Sequence, residues 1–377
     1  MKYFKIIIVA LIIVNIVSCQ NKTKENMNWE IIDFSKIPGE TFRDDFFEPI
    51  TKYKFNQILT INENNIILLG DNSGDRNEEY LPKESEAIAF VSIDGGETLL
   101  KHNLGKGSLM EAKYIDGKVF LINETSKNGK NSSQLIKSDS LFKEWKIIKE
   151  FKTEEIFDFL FFSKSIGLAS FGHENPINQE YIVEYRYTLD GGENWSKIIN
   201  SNNKGFTYSR FISSEEIEYI ENNKLVKFNF ITGEKEIITE QIVPRGYKCI
   251  GYYEDTKTKE YYTSIENLND KTDCSIKYTN TQEIIQLPKG MTYIVAYGNY
   301  LHAMVKEGIY YNYVWSDDKG KTWNTEKLRD FFVIPRPIKY YGKGYVYAFV
   351  TCFKGSKSEK GGRFAIRKPA HNTVYKK

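Results

Sequence analysis

Cysteine, histidine, methionine and proline are all scarce in this chain: 4, 4, 5 and 9 among 377 residues. There is no CxxC and no HExxH, and the four histidines (His102, His173, His302, His371) are scattered. Spacing therefore offers no zinc site, and neither a metal nor a cofactor is expected. Beyond Cys19, the cysteines are Cys249, Cys274 and Cys352, an odd number that allows at most one disulfide and no disulfide framework. Charge of neither sign is in excess, with 52 Lys+Arg against 50 Asp+Glu. No basic stripe appears, so no nucleic-acid partner is expected. What the chain does have is aromatic weight: 26 tyrosines and 24 phenylalanines, residues that suit a pleated, half-buried surface.

The N-terminus reads as an address. Lys2 and Lys5 precede an apolar run from Ile6 to Val17, shorter than the roughly 20 residues a membrane-spanning helix needs. The run ends "IVSC". This resembles a bacterial lipobox, whose cysteine becomes the lipid-bearing N-terminus. The resemblance implies removal of residues 1–18, a membrane anchor at Cys19 and a polar tether over 19–27. Gln20 gives no strong retention signal, so a place in the cell envelope is expected, at the outer membrane facing the periplasm or the cell surface. Loss of Lys2 and Lys5 brings the formal charge from +2 to about zero.

An eight-residue pattern recurs. "SIDGGETL" begins at Ser92, "SDSLFKEW" at Ser138, "TLDGGENW" at Thr188 and "SDDKGKTW" at Ser316. The starts are 46, 50 and 128 residues apart, the last close to three units of roughly 43. Alternating segments precede each copy ("AIAFVS", "SQLIKS", "YIVEYRYT", "YYNYVWS"), and others such as "WKIIKEF" follow, so the pattern sits in hairpin turns. A Ser/Thr hydroxyl and an Asp carboxylate can bond backbone N–H groups across such a turn. Glycine supplies a positive φ, and tryptophan buries a large ring. These residues at this spacing make a brace, not a reaction centre.

The pattern S/T-x-D-x-G-x-T-W resembles the Asp box of the BNR/sialidase-like β-propellers. The resemblance implies an all-β propeller of four-stranded blades, in which Ser92, Asp94, Gly96, Thr188, Asp190, Gly192, Trp195, Ser316, Asp318, Gly320 and Trp323 are structural. The chain divides into seven blades at 53–104, 105–152, 153–202, 206–242, 246–288, 290–332 and 334–370, with six as the alternative count. The last stretch offers three strands, whereas "NWEIIDF" (28–34) stands alone before the first blade. We therefore expect 28–34 to complete the last blade and close the ring, giving one domain over 28–370 and a tail at 371–377.

In such propellers the ligand face lies opposite the Asp boxes. Long second-to-third turns are expected there at 70–86, 123–133 and 171–181, and long loops on a rigid scaffold carry function. The first holds Arg76 and Tyr80, and the third holds His173 and Glu174 as a candidate acid–base pair. "DNSGD" (71–75) alternates oxygen ligands as a calcium loop does, but Arg76 and Pro82 stand where an EF-hand needs glycine and an acid. Arg43, Arg245 and Arg336 each precede a blade, and Arg210 could join them around a carboxylate. Sialidases grip their substrate with an arginine triad. That likeness would make Asp44 or Asp45 an acid and Tyr340 a nucleophile, although "FRDD" replaces the family's F/Y-R-I-P. The reading favoured from sequence is a non-catalytic propeller binding a protein or an acidic glycan on its loop-rich face. The alternatives are a sialidase-type hydrolase and an assembly factor for a membrane complex.

Overall fold

A computed structural model describes residues 29–33, 53–72, 85–127, 130–175, 177–178, 180–198, 209–255, 257–307, 310–328, 331–341, 345–352 and 363–368. Strand β1 (Trp29–Asp33) opens the chain. Blade one is β2 (Lys54–Thr60), β3 (Ile66–Asp71), β4 (Glu86–Ser92) and β5 (Leu100–Lys106). Blade two is β6 (Ser108–Ile115), β7 (Lys118–Lys127), β8 (Lys130–Asp139) and β9 (Trp145–Phe151). Blade three is β10 (Glu155–Phe161), β11 (Gly167–Glu174), β12 (Tyr181–Thr188) and β13 (Ser196–Lys197). Blade four is β14 (Arg210–Phe211), β15 (Glu216–Glu221), β16 (Lys224–Asn229) and β17 (Lys235–Thr239). Blade five is β18 (Tyr247–Glu254), β19 (Tyr261–Asn267), β20 (Cys274–Tyr278) and β21 (Ile284–Gln286). Blade six is β22 (Met291–Tyr297), β23 (Tyr300–Glu307), β24 (Tyr310–Ser316) and β25 (Asn324–Leu328), and the last blade contains β26 (Phe331–Tyr341), β27 (Tyr345–Cys352) and β28 (Arg363–Arg367).

Each of the seven sheets is a four-stranded antiparallel meander, and the seventh takes β1 as its outer strand. Trp29 pairs with Arg367 and Asp33 with Arg363, so the N-terminal strand closes the ring as the orphan segment implied. The first-to-second and third-to-fourth turns lie on one face, here the turn face. The second-to-third loops and the inter-blade connections lie on the other, the loop face.

The core lies between blades. Ile67, Leu69, Ala87 and Ala89 of blade one pack on Leu109, Ala112, Val119 and Leu121 of blade two. Strand β3 is buried along its whole length because a blade covers each of its sides, which is why "IILLGD" runs apolar instead of alternating. Each fully buried Leu or Ile is worth about 1.5–3 kcal/mol.

The three repeats that keep the glycine, one of them with Leu99 in place of the tryptophan, fold as the sequence implies. In the last, the Ser316 hydroxyl donates to Asp318 Oδ1 at 2.8 Å and accepts the Gly320 N–H at 2.7 Å. Asp318 in turn accepts the Thr322 amide at 2.8 Å and hydroxyl at 2.6 Å. Gly320 has φ +83, and a Cβ there would lie 2.4 Å from Ile285 of the preceding blade, so only glycine suits the position. Ser92–Thr98 and Thr188–Asn194 repeat this network.

These bonds, first from the Thr322 side chain and then from its amide, hold the Asp318 carboxyl down at about 2 against an ordinary 3.8. The folded value lies below the unfolded one. Its stabilisation is thus complete above about pH 4 and lost as pH falls towards about 2. We expect the stability gap between wild type and Asp318→Asn to close across that window, read as melting temperature against pH. A gap unchanged by pH would contradict the assignment.

Candidate functional site

The site is built by a repeated irregularity. Near its loop-face end, the inner strand of five blades breaks register: between Phe55 and Gln57, Leu109 and Glu111, Ile156 and Asp158, Cys249 and Gly251, and Thr292 and Ile294. The bulged residues are Asn56, Met110, Phe157, Ile250 and Tyr293. A bulge bends its strand and re-aims a side chain, as the exposed Phe157 and the cavity-lining Ile250 show.

Two consequences shape the loop face. At blade three, the bulge leaves Phe157 half-exposed, with its ring 5.8 Å from that of Tyr181. The Tyr181 hydroxyl donates to Glu155 Oε2 at 2.8 Å. Burial and the neighbouring Glu155 push the Glu124 carboxyl above its usual range, with Lys54 opposing. At blade five, Ile250 lines a cavity of about 410 Å³ between blades five and six. Tyr253, Leu287, Met291 and Ile294 make its apolar wall, and Ser264, Ser275 and Lys271 add polar groups. Ser264 is 5% exposed, and its hydroxyl has no hydrogen-bond partner among the described residues. The cavity falls within the range of small-ligand and anchor-residue pockets.

The sequence candidates fare unevenly. Arg210 does lie on the first strand of blade four, but its guanidinium is spent on Glu218 and stacks 3.7 Å from the centroid of Tyr261 in blade five. It clamps two blades and is not free to join an arginine cluster. Arg245 sits exposed in the connection before β18. Arg336 does not precede its blade. It lies inside β26, where the ladder slips between Val333 and Ile338. Tyr340 lies on the same strand opposite Val346. Arg43, Asp44, Asp45, Arg76, Tyr80 and Cys19 fall outside the described residues.

His173 and Glu174 are consecutive in β11 and therefore project to opposite sides of the sheet. The expected loop at 123–133 is largely ladder, and the one at 171–181 is ladder at its two ends. Ser126 pairs with Asn131 and Lys127 with Lys130, and Glu174 pairs with Tyr181. Short polar side chains such as Thr125 and Ser132 bond across the strands and extend the hairpin. Asp71 of the calcium-like stretch is fully buried and accepts the Ser108 hydroxyl of blade two, which makes it an inter-blade tie. No metal-binding cluster occurs among the described residues. Cys249 and Cys274 are free thiols, and burial pushes Cys249 up to about 11.

Tyr181 and Glu155 form a hydrogen-bonded tyrosine–glutamate pair. Burial and that hydrogen bond push the phenol above its usual range, so it keeps its proton at neutral pH. The sequence offered no signal for Phe157, Tyr181, Glu124 or Ser264, since a bulge leaves no mark that periodicity can read.

Fold and face together define a β-propeller with a bulge-lined loop face. No family model matches the chain, and no curated protein matches it. Among solved structures it is similar to YCF48 bound to D1 peptide, at 11% identity and TM-score 0.54, over 92% of this chain and 96% of that one. It is also similar to an uncharacterized protein of Listeria monocytogenes EGD-e, at 11% identity and TM-score 0.51, over 83% and 95%. A third likeness is to the β-propeller domain of the Trilobed protease from Pyrococcus furiosus, at 8% and 0.54, over 84% and 95%. That domain has an open velcro topology, whereas here β1 on β28 makes a closed one.

Proposed function

We propose that this chain is a lipid-anchored, extracytoplasmic propeller of the Asp-box type that works by binding, holding a segment of a partner protein on its loop face. The observation that carries this reading is the cavity between blades five and six, apolar on one wall with an unsatisfied Ser264 hydroxyl, on the same loop face as the exposed Phe157–Tyr181 pair. An apolar anchor residue entering the cavity, with a backbone group on Ser264, would bury both kinds of surface. A propeller of similar fold holding a peptide supports the reading. So does chain direction: β1 begins at Trp29, beside Arg367, on the turn face. A tether leaving from there puts the loop face away from the membrane and open to a partner.

The test compares capture from envelope extract by three variants of the chain from Gln20 onward. Ser264→Phe fills the cavity, Phe157→Ala/Tyr181→Ala strips the aromatic pair, and Leu189→Ala alters an exposed turn-face residue. One protein should be lost from both loop-face variants and kept by wild type and Leu189→Ala. Equal capture by all would contradict the reading. A fluorogenic sialoside tests the rival hydrolase: turnover abolished by Arg43→Ala/Arg336→Ala would replace binding with catalysis.

A further inference from the structure

The degenerate repeat at 138–145 differs from its intact relatives in what becomes of its tryptophan. In the repeat at 188–195, the Trp195 indole N–H donates to Gly192 O at 2.9 Å and its ring packs edge-on against Phe171 at 5.2 Å. Trp323 packs against the core between blades five and six. At 138–145 the glycine position is Phe142, held at φ +57 and buried in the core between blades one and two. Asp139 takes over the turn, with Oδ1 accepting the amides of Leu141 and Lys143. Phe142 and Asp139 have replaced the brace, and Trp145 is left 39% exposed.

Around that freed indole the ladder assembles lysines. Lys137 stands directly opposite Lys146, and Phe120 directly opposite Lys137. Lys118 is two residues from Phe120 on the same strand, so all three lysines project to one side of the sheet, whereas Trp145, beside Lys146 on this outer strand, projects to the other, and the cavity they share lies at the strand's edge. Like charges directly opposite weaken a ladder. Among the described residues none of the three forms an ion pair, and Lys137 rests on the Phe120 ring at 5.0 Å instead. Burial, then Lys146, Lys118 and Lys164, push the Lys137 ammonium below its usual range, with Glu193 opposing. A cavity of about 270 Å³ opens between the lysines, Trp145 and the turn carboxylates of Asp139 and Glu144.

We propose that this cavity, at the outer edge of blade two on the turn face, is a second binding site and takes an anionic saccharide. The sugar's ring face stacks on Trp145, and its sulfate, phosphate or carboxylate is held by Lys118, Lys137 and Lys146. Three ammoniums that outnumber the two carboxylates lining the cavity, and form no ion pair among the described residues, call for an anion, and an exposed indole calls for a flat apolar face. Asp139 and Glu144 at the rim accept hydrogen bonds from sugar hydroxyls, which an inorganic anion does not offer. The site is on the face opposite the partner-binding loops and does not depend on them.

Calorimetry on the chain from Gln20 onward, at low ionic strength, tests this with N-acetylglucosamine 6-sulfate, N-acetylglucosamine 6-phosphate, glucuronic acid, N-acetylglucosamine and inorganic sulfate. At least one anionic sugar should bind about tenfold or more tightly than either the neutral sugar or inorganic sulfate. Lys137→Ala/Lys146→Ala should abolish that preference over the neutral sugar. Trp145→Ala should reduce the acidic sugar to the affinity of inorganic sulfate, with melting temperatures checking that both variants remain folded. No binding by any anionic sugar overturns the proposal. So does a Trp145→Ala variant that binds as wild type does, or inorganic sulfate matching the sugars, since each leaves an ion site without a saccharide.

Discussion

A chain beginning at residue 36 should lose its closed ring, melting roughly 10 °C or more below a chain beginning at Asn28 and self-associating. The two differ by β1 and its flanks, and β1 is the whole outer strand of the last blade, paired over five residues with β28. Its removal exposes the backbone edge of β28 to water and to other chains. Each lost ladder bond is worth only about 0.5–1.5 kcal/mol, but the edge also frees the ends of the circle, so the last blade can part from blade one. Calorimetric melting and light scattering report the two effects. Equal melting temperatures for the two chains would mean that the ring is held shut by side-chain packing between blades, such as Tyr347 and Ile366 against Ile66 and Leu68.

The second large effect lies one blade earlier. Arg367 Nε donates to Glu326 Oε2 at 3.0 Å, with side-chain exposures of 10% and 7%. The guanidinium also stacks over Trp315 at 4.6 Å and Tyr313 at 4.8 Å. This buried pair ties the outer strand of blade six to the closing blade. Arg367→Met should cost about 3–5 kcal/mol, because it takes the guanidinium away from a buried carboxylate in a low-dielectric seam. Adding Glu326→Leu should recover much of that loss, since two apolar side chains then face each other. Denaturant titration of the two variants checks the order. A double variant no more stable than Arg367→Met would show that the stacking on Trp315, not the charge pair, holds the seam.

How much of this was legible in the sequence divides by length scale. The turn network of Ser316, Asp318 and Gly320 is local, so eight residues were enough to read it, and its repetition set the blade boundaries. Segment 28–34 was placed in the last blade because a lone strand has to pair with something. Register is not local. A one-residue slip re-aims a side chain, so nothing in "EIFDFLF" says that Phe157 is bulged outward. His173 and Glu174 look like a pair in the sequence and are separated by the pleat. Arg210 looked free until Glu218, eight residues on, came directly opposite it across a hairpin. The lysines at 118, 137 and 146 are spread over 29 positions and meet only through two ladders.

The most direct test of the binding account is site-specific photo-crosslinking in intact cells. A photoreactive phenylalanine is placed at Phe157 or Lys271 on the loop face, or at Ile93 or Leu189 on the turn face. Discrete adducts to the same protein from both loop-face positions, and none from the turn-face positions, are the expected result. Adducts to that protein from the turn face alone, with the loop-face positions silent, would contradict the central claim.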